Sequence, residues 1–360
     1  MARRGSDRVG VDALPAAIWA AYSRTVFGAL REDLTVPRST PDSGPSTSLI
    51  AADAPLPASA VEADLEVLDP IVSAHVRTVV EQADPGLDQD LADWRSDDCA
   101  RPRLALLGPV MVRAHGAAIA KRKPFFTEVL SYLALREHGA TPDELATALG
   151  YTNLTTVRTA VKTVRDWLGT NPRNRLPHLP AATESPAAKL HGVPVYQIED
   201  LLMDVDLFRR LRLRGQACGT GGVDDMVAAL GLVTGRPFDR LRPGGWSCLT
   251  DTGIDHHMTC AIVDTAHLLT IHFLQTGQLD RAQAATETSL LAAPYDEIPK
   301  LDMAAILQAQ GHNEQSRHLI DQDICNAEDD DGLPAEIGQR TEQVLDQGDW
   351  DWMRRRTVAS

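Results

Sequence analysis

Hydrophobic positions change their spacing several times along this 360-residue chain. At the amino-terminal end, apolar side chains recur at helical spacing in residues 13–32 and 59–82, on either side of a Pro-, Ser- and Thr-rich stretch at 35–58. This pattern predicts one or two amphipathic helices joined by a flexible linker. Residues 84–100 are polar and acidic. We therefore expect little compact structure in residues 1–100, which we interpret as an acidic, partly disordered region.

Short strands and short helices are predicted where the acidic region ends. The apolar run Leu104–Arg113 is broken at Gly108-Pro109, which indicates two strands, and Gly116–Ala120 is a candidate third. A helix is expected from Pro124, with a second helix beginning at Thr141-Pro-Asp-Glu144. The latter stretch is a capping box with proline at the first helical position, which is a strong signal for a helix start.

The third helix of this region has the clearest pattern. Asn153 or Thr152 caps it, and it runs from Leu154 to Leu168 before Gly169. One stripe of this helix is apolar at alternating spacings of three and four residues, which predicts a buried face. The opposite face is polar and carries three cations. It comprises Thr155, Arg158, Thr159, Lys162 and Arg165.

A hairpin is the predicted element after the third helix. Leu176–Pro180 and Leu190–Ile198 look like its two strands, with a Pro/Ser/Ala loop between them. Three short helices followed by a hairpin are the outline of a winged helix. The sequence therefore predicts a winged helix-turn-helix domain in residues 101–198.

From residue 199 the chain is almost wholly helical, and it contains a repeat. Gly277-Gln-Leu-Asp-Arg-Ala282 recurs 34 residues later as Gly311-His-Asn-Glu-Gln-Ser316, and Phe273 and Leu307 each lie four residues before their glycine. Thirty-four residues is the period of the tetratricopeptide helix pair. The predicted fold class is mainly α with small β elements: a winged helix-turn-helix domain, then an α-helical tetratricopeptide-like repeat domain.

Charge is distributed unevenly over these regions. Residues 1–100 carry 8 basic and 17 acidic side chains, residues 101–198 carry 13 and 6, and residues 199–360 carry 14 and 27. The net charges are −9, +7 and −13, which sum to the −15 of the whole chain. One basic block between two acidic ones indicates a nucleic-acid surface confined to the middle domain. We place the repeat domain at 199–330, and an acidic tail with a short helix at 331–360.

Cysteine spacing and hydropathy exclude several classes of protein. The 5 cysteines lie far apart without a C-x-x-C pair, which argues against a zinc ribbon or a disulfide framework. No run of about 18 apolar residues is present, so no membrane-spanning helix is predicted. These observations favour a cytoplasmic protein with no membrane partner.

Two other groups of residues invite a ligand interpretation that their geometry disfavours. His257, Cys260, Asp264 and His267 share one face of a predicted helix, but ten helical residues span about 15 Å, which is too far for one ion. Gly219-Thr-Gly-Gly222 has no preceding strand and no following Lys-Ser/Thr, so we interpret it as an interhelical loop. We predict no catalytic residues, no metal, no cofactor and no enzymatic activity. Acidic residues at the start of the helical region are interpreted as helix caps and solvated positions: Asp200, Asp204 and Asp206.

Four stretches give the sequence a family resemblance. Leu145–Gly150, Thr155–Gly169, Asp206–Leu211 and Ala229–Phe238 follow one another within about two thirds of the chain. In these stretches the chain resembles the actinobacterial antibiotic-regulatory-protein (SARP) family, in which a response-regulator-type winged helix precedes a bacterial transcriptional activator domain. The resemblance implies a DNA-binding transcriptional regulator, with an activator as the first expectation.

The resemblance also implies site residues and partners. The third helix would enter the major groove of double-stranded DNA, the wing would touch the backbone or minor groove, and Arg158 is the best candidate to read a base. The helical domain would mediate homodimerisation, RNA polymerase contact or signal input. The implied DNA-binding residues are Asn153, Thr155, Thr156, Arg158, Thr159 and Lys162 near the bases, with Arg165, Arg173, Arg175 and Lys189 holding phosphates.

This chain departs from the family pattern in its third helix, which is rich in threonine. Asp166 and Trp167 stand where relatives commonly carry basic residues, and lost cations weaken the attraction to phosphates. One alternative is therefore an adaptor that has lost DNA binding and uses both domains for protein docking.

Another hypothesis is that residues 1–100 fold back as an acidic, autoinhibitory mimic of DNA. The cluster Lys121-Arg-Lys123 is either a phosphate anchor or a solvated linker.

Overall fold

The computed structural model of the protein describes residues 82–136, 138–325 and 341. In this part of the chain the fold is mainly helical, with one small sheet. The helix predicted at 13–32 and the linker after it lie outside the described residues, as do the helix predicted at 59–82 except for residue 82 and the helix expected near the carboxyl terminus except for residue 341. The described elements, in chain order, are α1 (Leu87–Arg95), β1 (Arg103–Ala105), β2 (Met111–Arg113), α2 (Lys123–Ala134), α3 (Pro142–Ala148), α4 (Leu154–Leu168), α5 (Pro186–His191), β3 (Leu202–Met203), α6 (Asp204–Ala217), a 3₁₀ turn (Gly219–Gly222), α7 (Val223–Leu230), α8 (Ser247–Thr252), α9 (Ile254–Gln275), α10 (Leu279–Ala292), α11 (Glu297–Ala309), α12 (Asn313–Ile320) and a closing π turn (Asp321–Cys325).

The sheet has three strands in the order β2-β1-β3, with β1 antiparallel to β2 and parallel to β3. The first two strands are the ones predicted on either side of Gly108-Pro109. The third strand predicted at Gly116–Ala120 is wrong. The backbone N–H groups of Gly116 and Ala117 instead donate to the carbonyls of Trp167 and Asp166, at 2.9 and 2.7 Å. This segment therefore caps the end of α4, and β3 completes the sheet from a distant part of the chain.

Helices α2, α3 and α4 share one hydrophobic core. The capping box that predicts α3 is confirmed, because Thr141 Oγ1 accepts from the Glu144 N–H while the Glu144 carboxylate accepts from the Thr141 N–H. Helix α4 has the bounds that its periodicity predicts, and Val157, Val161 and Val164 of its apolar stripe are buried. The three-helix arrangement expected in this region is therefore present.

The hairpin expected after α4 is wrong. Residues 170–198 form isolated bridges between Thr170 and Pro177 and between Ala140 and Tyr196, and helix α5 occupies the stretch interpreted as a loop. The physical reason is local. Ser185 caps the helix by accepting from the Ala188 N–H, and Pro186 fits the first helical turn because no intrahelical donor is required there.

A second core joins the sheet to the helices that follow it. Leu104, Leu106 and Leu107 are completely buried together with side chains from α6, α7 and α9. Helix α1 belongs to the same core, since Leu87 is fully buried and Leu91 is 9% exposed. The expectation of little compact structure before residue 100 is therefore wrong for α1.

Ion pairs explain why an acidic segment folds here. Asp84 and Asp90 lie 2.7 and 2.8 Å from the Arg210 guanidinium of α6, and Asp88 lies 2.7 Å from Arg214. Asp84 and Asp90 raise the pKa of Arg210, which therefore stays charged. The ion pairs of this described segment are with α6, Arg101 and Arg113, and none is with α4, so the hypothesis of a DNA mimic finds no support in residues 82–100.

The glycine run before α7 is a packing feature, in agreement with its interpretation as an interhelical loop. It forms a 3₁₀ turn, in which Gly222 lies against Gly215 of α6. A Cβ at Gly222 would stand 2.1 Å from the Gly215 carbonyl oxygen. The absence of side chains at both positions therefore permits α6 and α7 to approach closely.

Gly222→Ala is expected to destabilise the protein by about 1–3 kcal/mol, because the new methyl group meets rigid backbone rather than a flexible side chain. Urea unfolding of the full chain measures this loss. Gly244→Ala is the matched control for the glycine change itself: its Cβ would meet nothing, so any cost there reflects its positive φ of 68°. Equal stability of Gly222→Ala and the wild type would contradict the close-packing account.

The 34-residue sequence repeat corresponds to two equivalent helix turns. Between α9 and α10 the N–H of Gln278 donates to Phe273 O, and between α11 and α12 the N–H of His312 donates to Leu307 O, both at 2.8 Å. The turn glycines Gly277 and Gly311 have φ of 70° and 85°, which favours glycine. The repeated turns are thus confirmed, and the tetratricopeptide-like assignment stays a prediction.

Helix α9 is long, but its polar groups are tied to its neighbours. His267 Nδ1 lies 2.7 Å from Asp302 Oδ1 of α11, and Asp264 pairs with Arg212 of α6 at 3.6 Å. Cys260 contacts His256 of its own helix. Among the described residues, no three His, Cys, Asp or Glu side chains are grouped to hold a metal, and no helix is long and apolar enough to cross a membrane.

Two of the three aspartates at the start of the helical region, Asp200 and Asp204, differ from the expectation of caps and solvated positions. Asp204 is 1% exposed, and its carboxylate accepts from the N–H groups of Leu106, Leu107 and Val205. Burial raises the pKa of Asp204 to about 7, although the backbone donors act against the rise. Asp200 pairs with Arg101 and Asp206 pairs with Arg209. Asp200 and Asp204 thus connect elements that are distant in sequence, which local capping rules do not predict, whereas Asp206 makes its contact within α6.

Candidate nucleic-acid interface

The polar face of α4 is exposed while its apolar stripe holds the helix on the core. Thr155, Thr156, Arg158, Thr159 and Lys162 are all exposed. Val157 and Val164, which are fully buried, fix the rotation of the helix about its axis. The structure therefore brings together, on one accessible face, the five α4 residues that the sequence assigns to base or phosphate contact.

Hydrogen bonds within α4 already use some of the polar groups of these side chains. Asn153 Oδ1 accepts from the Thr155 N–H at 2.7 Å, so this predicted site residue is also the helix cap. Thr159 Oγ1 donates to Thr155 O at 2.9 Å, and Thr163 Oγ1 donates to Thr159 O at 3.1 Å. These hydroxyl donors are occupied, so Thr159 offers a partner an acceptor oxygen and a methyl group.

Arg158 and Lys162 supply the cationic donors of this face. Neither side chain has an acidic partner among the described residues. Asp166 is the one acidic residue in the α4 sequence, and it lies in the last turn. The first three turns of the helix are therefore positive and free of internal neutralisation.

Arg165 has a contact that the sequence did not predict. Its Nε donates to Leu179 O at 2.5 Å, and one terminal nitrogen donates to Pro180 O at 3.0 Å. Arg165 thereby fixes the segment after α4 to the helix, and its predicted role at a phosphate stays a prediction. Burial raises the pKa of the nearby Tyr196 phenol, with the charges of Arg158 and Arg165 acting against the rise.

The turn after α4 is tightly hydrogen-bonded and presents two of the predicted phosphate contacts. Asn171 Oδ1 accepts from the Arg173 N–H at 2.8 Å, and Asn174 Oδ1 accepts from the Leu176 N–H at 2.9 Å. Arg173 and Arg175 are exposed on this turn. Because side-chain caps hold the backbone, these cations have fixed attachment points beside the end of α4.

Lys189 stands apart from the other predicted contacts. It is exposed in the last turn of α5, the helix that replaces the expected hairpin, beside Leu190, which is 79% exposed. The structure therefore places Lys189 on a separate short helix rather than on a β wing.

The basic cluster Lys121-Arg-Lys123 comes close to α4 through tertiary packing. The Arg122 guanidinium lies 4.6 Å from the centre of the Phe125 ring, and Lys123 Nζ lies 5.7 Å from the centre of the Trp167 ring. Trp167 is 5% exposed, so the aromatic residue at this unusual position belongs to the core. Lys123 is thus a cation near the end of α4 that spacing within the helix does not reveal.

Similarity to known proteins is confined to solved structures. No protein-family model matches the chain, and no curated protein matches it. Among solved structures, it is similar to Mycobacterium tuberculosis EmbR in complex with a low affinity phosphopeptide. The two share 19% sequence identity over 72% of this chain and 69% of that chain, with a TM-score of 0.47. Function is therefore inferred from the geometry of α4 and its surroundings.

Proposed function

We propose that this protein is a DNA-binding transcriptional regulator that places α4 in the major groove. The observation that carries this proposal is the polar face of α4, which is exposed, cationic and unpaired while the rest of the helix is locked into a three-helix core. A rigid helix of this kind suits direct readout, because the reading side chains do not lose backbone freedom on binding.

Each side chain of the face has a role suited to its chemistry. Arg158 would donate to the O6 and N7 of a guanine, and Lys162 would contact a phosphate. Thr155, Thr156 and Thr159 would offer methyl and hydroxyl contacts to base edges. The remaining cations, which lie outside the helix or at its end, would hold the backbone: Arg173, Arg175, Lys189 and, through its remaining donors, Arg165.

The helices after β3 would bind protein partners, either a second copy of the chain or RNA polymerase. The observation that favours this role is a pair of exposed apolar side chains where the α9–α10 pair meets the α11–α12 pair. Leu291 of α10 is 54% exposed, and Tyr295 in the following turn is 86% exposed. An activator working in the cytoplasm would use such a surface to recruit polymerase to a promoter.

Selection from a random DNA pool, followed by affinity measurement over a range of salt concentrations, tests DNA binding directly. We expect an enriched motif, and affinity for it that falls steeply with salt, because phosphate contacts release counterions. A scrambled duplex of the same length is the control and should bind at least about 1,000-fold more weakly. Failure to enrich any motif, together with no retention of DNA at low salt, would reject the proposal.

A second candidate function is an adaptor that uses the α4 region for protein docking. The specific observation in its favour is that a helix with an exposed leucine, Leu190, stands where a DNA-binding wing was expected. This function predicts no DNA retention at low salt, combined with loss of a protein partner when Leu190 is changed to serine. The DNA experiment therefore separates the two functions.

A further inference from the structure

One face of the small sheet carries two arginines side by side. Arg103 of β1 pairs directly with Arg113 of β2, so their side chains project from the same face. Ala105 and Met111 form the next pair on that face. Like charges in directly opposite positions of a sheet destabilise it. The Arg103–Arg113 pair is therefore unfavourable unless an anion neutralises its positive charge.

The two arginines line a cleft of about 200 Å³. Its walls come from four parts of the protein: Trp94 of α1, the face of the sheet, Asp204 at the start of α6, and the segment after α7 with Leu232 and Thr234. Met111, which is 56% exposed, stands at its side. A volume of this size accommodates a ring or a short hydrocarbon chain, and the walls offer apolar surface for it.

Arg103 is built into this cleft with part of its hydrogen-bonding capacity unused. It is 6% exposed, and one terminal nitrogen donates to Trp94 O at 2.6 Å. Its Nε has no hydrogen-bond partner among the described residues. A buried donor without a partner is costly, and the edge of a guanidinium that includes Nε is one that receives a carboxylate in a bidentate manner.

The acidic groups near the cleft leave this donor free. Both oxygens of Asp204 are occupied by backbone N–H groups, at 2.8–2.9 Å. Asp97 lies 3.4 Å from Arg113, but the two side chains are 96% and 58% exposed, so solvent screens the pair. Neither carboxylate meets the unused edge of Arg103.

From this geometry we propose that the cleft binds a small organic carboxylate, with its carboxylate on the Arg103–Arg113 pair and its apolar body between Trp94 and Met111. A planar carboxylate matches the guanidinium edge better than a tetrahedral phosphate matches a cleft whose other walls are mainly apolar. This inference concerns binding and does not depend on the function proposed for α4.

The position of the cleft gives such a ligand a route to α4. Strand β2 ends at Arg113, and Gly116 and Ala117 donate to carbonyls in the last turn of α4. A ligand that orders β2 therefore acts on the segment that holds the end of that helix. The same ligand also touches α1 and the segment after α7.

The experiment uses the full chain with ¹³C-methyl-labelled methionine, in which the Met111 signal is assigned from the Met111→Leu variant. Naphthalene-2-carboxylate is the probe, naphthalene-2-carboxamide is its uncharged counterpart, and inorganic phosphate is the third arm. We expect a saturable shift of the Met111 methyl signal with the carboxylate in the millimolar range or below. The carboxamide should bind at least about tenfold more weakly, because it lacks the charge-assisted pair.

Arg113→Gln is the informative variant, because Arg113 is half-exposed and its loss leaves the core intact, whereas a change of the buried Arg103 risks misfolding. We expect Arg113→Gln to weaken carboxylate binding about tenfold, and Arg236→Gln, which changes an exposed arginine outside the cleft, to bind as the wild type does. Equal binding of carboxylate and carboxamide, an unaffected Arg113→Gln variant, a Met111 shift with phosphate alone, or no shift with the carboxylate would each overturn the proposal.

Discussion

Replacing Arg158 and Lys162 together by alanine is expected to weaken binding to the selected DNA motif by about 100-fold at low salt. The two side chains stand one turn apart on the exposed face of α4. Loss of the arginine removes a bidentate contact to a base, and loss of the lysine removes a phosphate contact. The salt dependence should therefore also become shallower, with the logarithmic slope falling by about 1 for the lost phosphate contact. Fluorescence anisotropy with a labelled duplex over a salt series measures both effects.

The control for this double variant carries the same change of net charge elsewhere. Arg236→Ala with Arg317→Ala removes two exposed arginines outside the α4 region, and we expect its DNA affinity to stay within about twofold of the wild type. Both double variants should keep the wild-type melting temperature, since all four side chains are exposed. Equal weakening in the two variants would show that overall charge rather than α4 governs binding, and would contradict the assignment.

The bounds of α4 could be predicted from the sequence because every signal for them is local. Its apolar stripe repeats at helical spacing, Asn153 caps its start, and Gly169 follows its end. The capping box of α3 and the turns at Gly277 and Gly311 are equally local. At these positions backbone propensity and burial favour the same structure, and such agreement makes a pattern reliable.

The incorrect predictions fall where tertiary contacts decide the structure, with one exception. The segment at Gly116 caps the end of α4, and α1 is held by buried leucines and by carboxylates that meet arginines of α6 more than a hundred residues away. Neither partner can be identified from spacing. The exception is α5, for which Ser185-Pro186 and the following Gly192 are ordinary helix signals that the hairpin interpretation did not weigh.

The candidate interface likewise has features that the sequence predicts and features that depend on tertiary packing. Exposure of Arg158 and Lys162 follows from the periodicity of α4 alone. The contacts of Arg165 with Leu179 and of Lys123 with the Trp167 ring depend on how separate segments pack. The sequence therefore predicts the polar face of α4. The groups that position this helix and the cations around it are identified only from the folded structure.

Removal of the Glu128 carboxylate is expected to have the largest effect on stability. Glu128 of α2 is 3% exposed, and it accepts from Arg242 Nε at 3.0 Å and from one terminal nitrogen at 2.7 Å. It also accepts from the Trp246 N–H at 2.6 Å. This single side chain thus connects the three-helix core that carries α4 to the segment before α8. Glu128→Ala leaves a partly buried guanidinium and a buried N–H without their acceptor, for which we expect a loss of about 3–5 kcal/mol.

Two further variants separate the charge of Glu128 from its hydrogen bonds. Glu128→Gln keeps one acceptor for the Trp246 N–H but loses the ion pair with Arg242, so its loss in urea unfolding should be smaller than that of alanine. Glu184→Ala, a change of an exposed glutamate in the same region, should stay within about 0.5 kcal/mol of the wild type. If Glu128→Ala were as stable as Glu184→Ala, the buried carboxylate would not hold the two regions together. If Glu128→Ala unfolded in two separate transitions, the carboxylate would be the contact that makes the three-helix core and the following helices one cooperative unit. In that case α4 would be coupled through Glu128 to the segment before α8 and the helices after it.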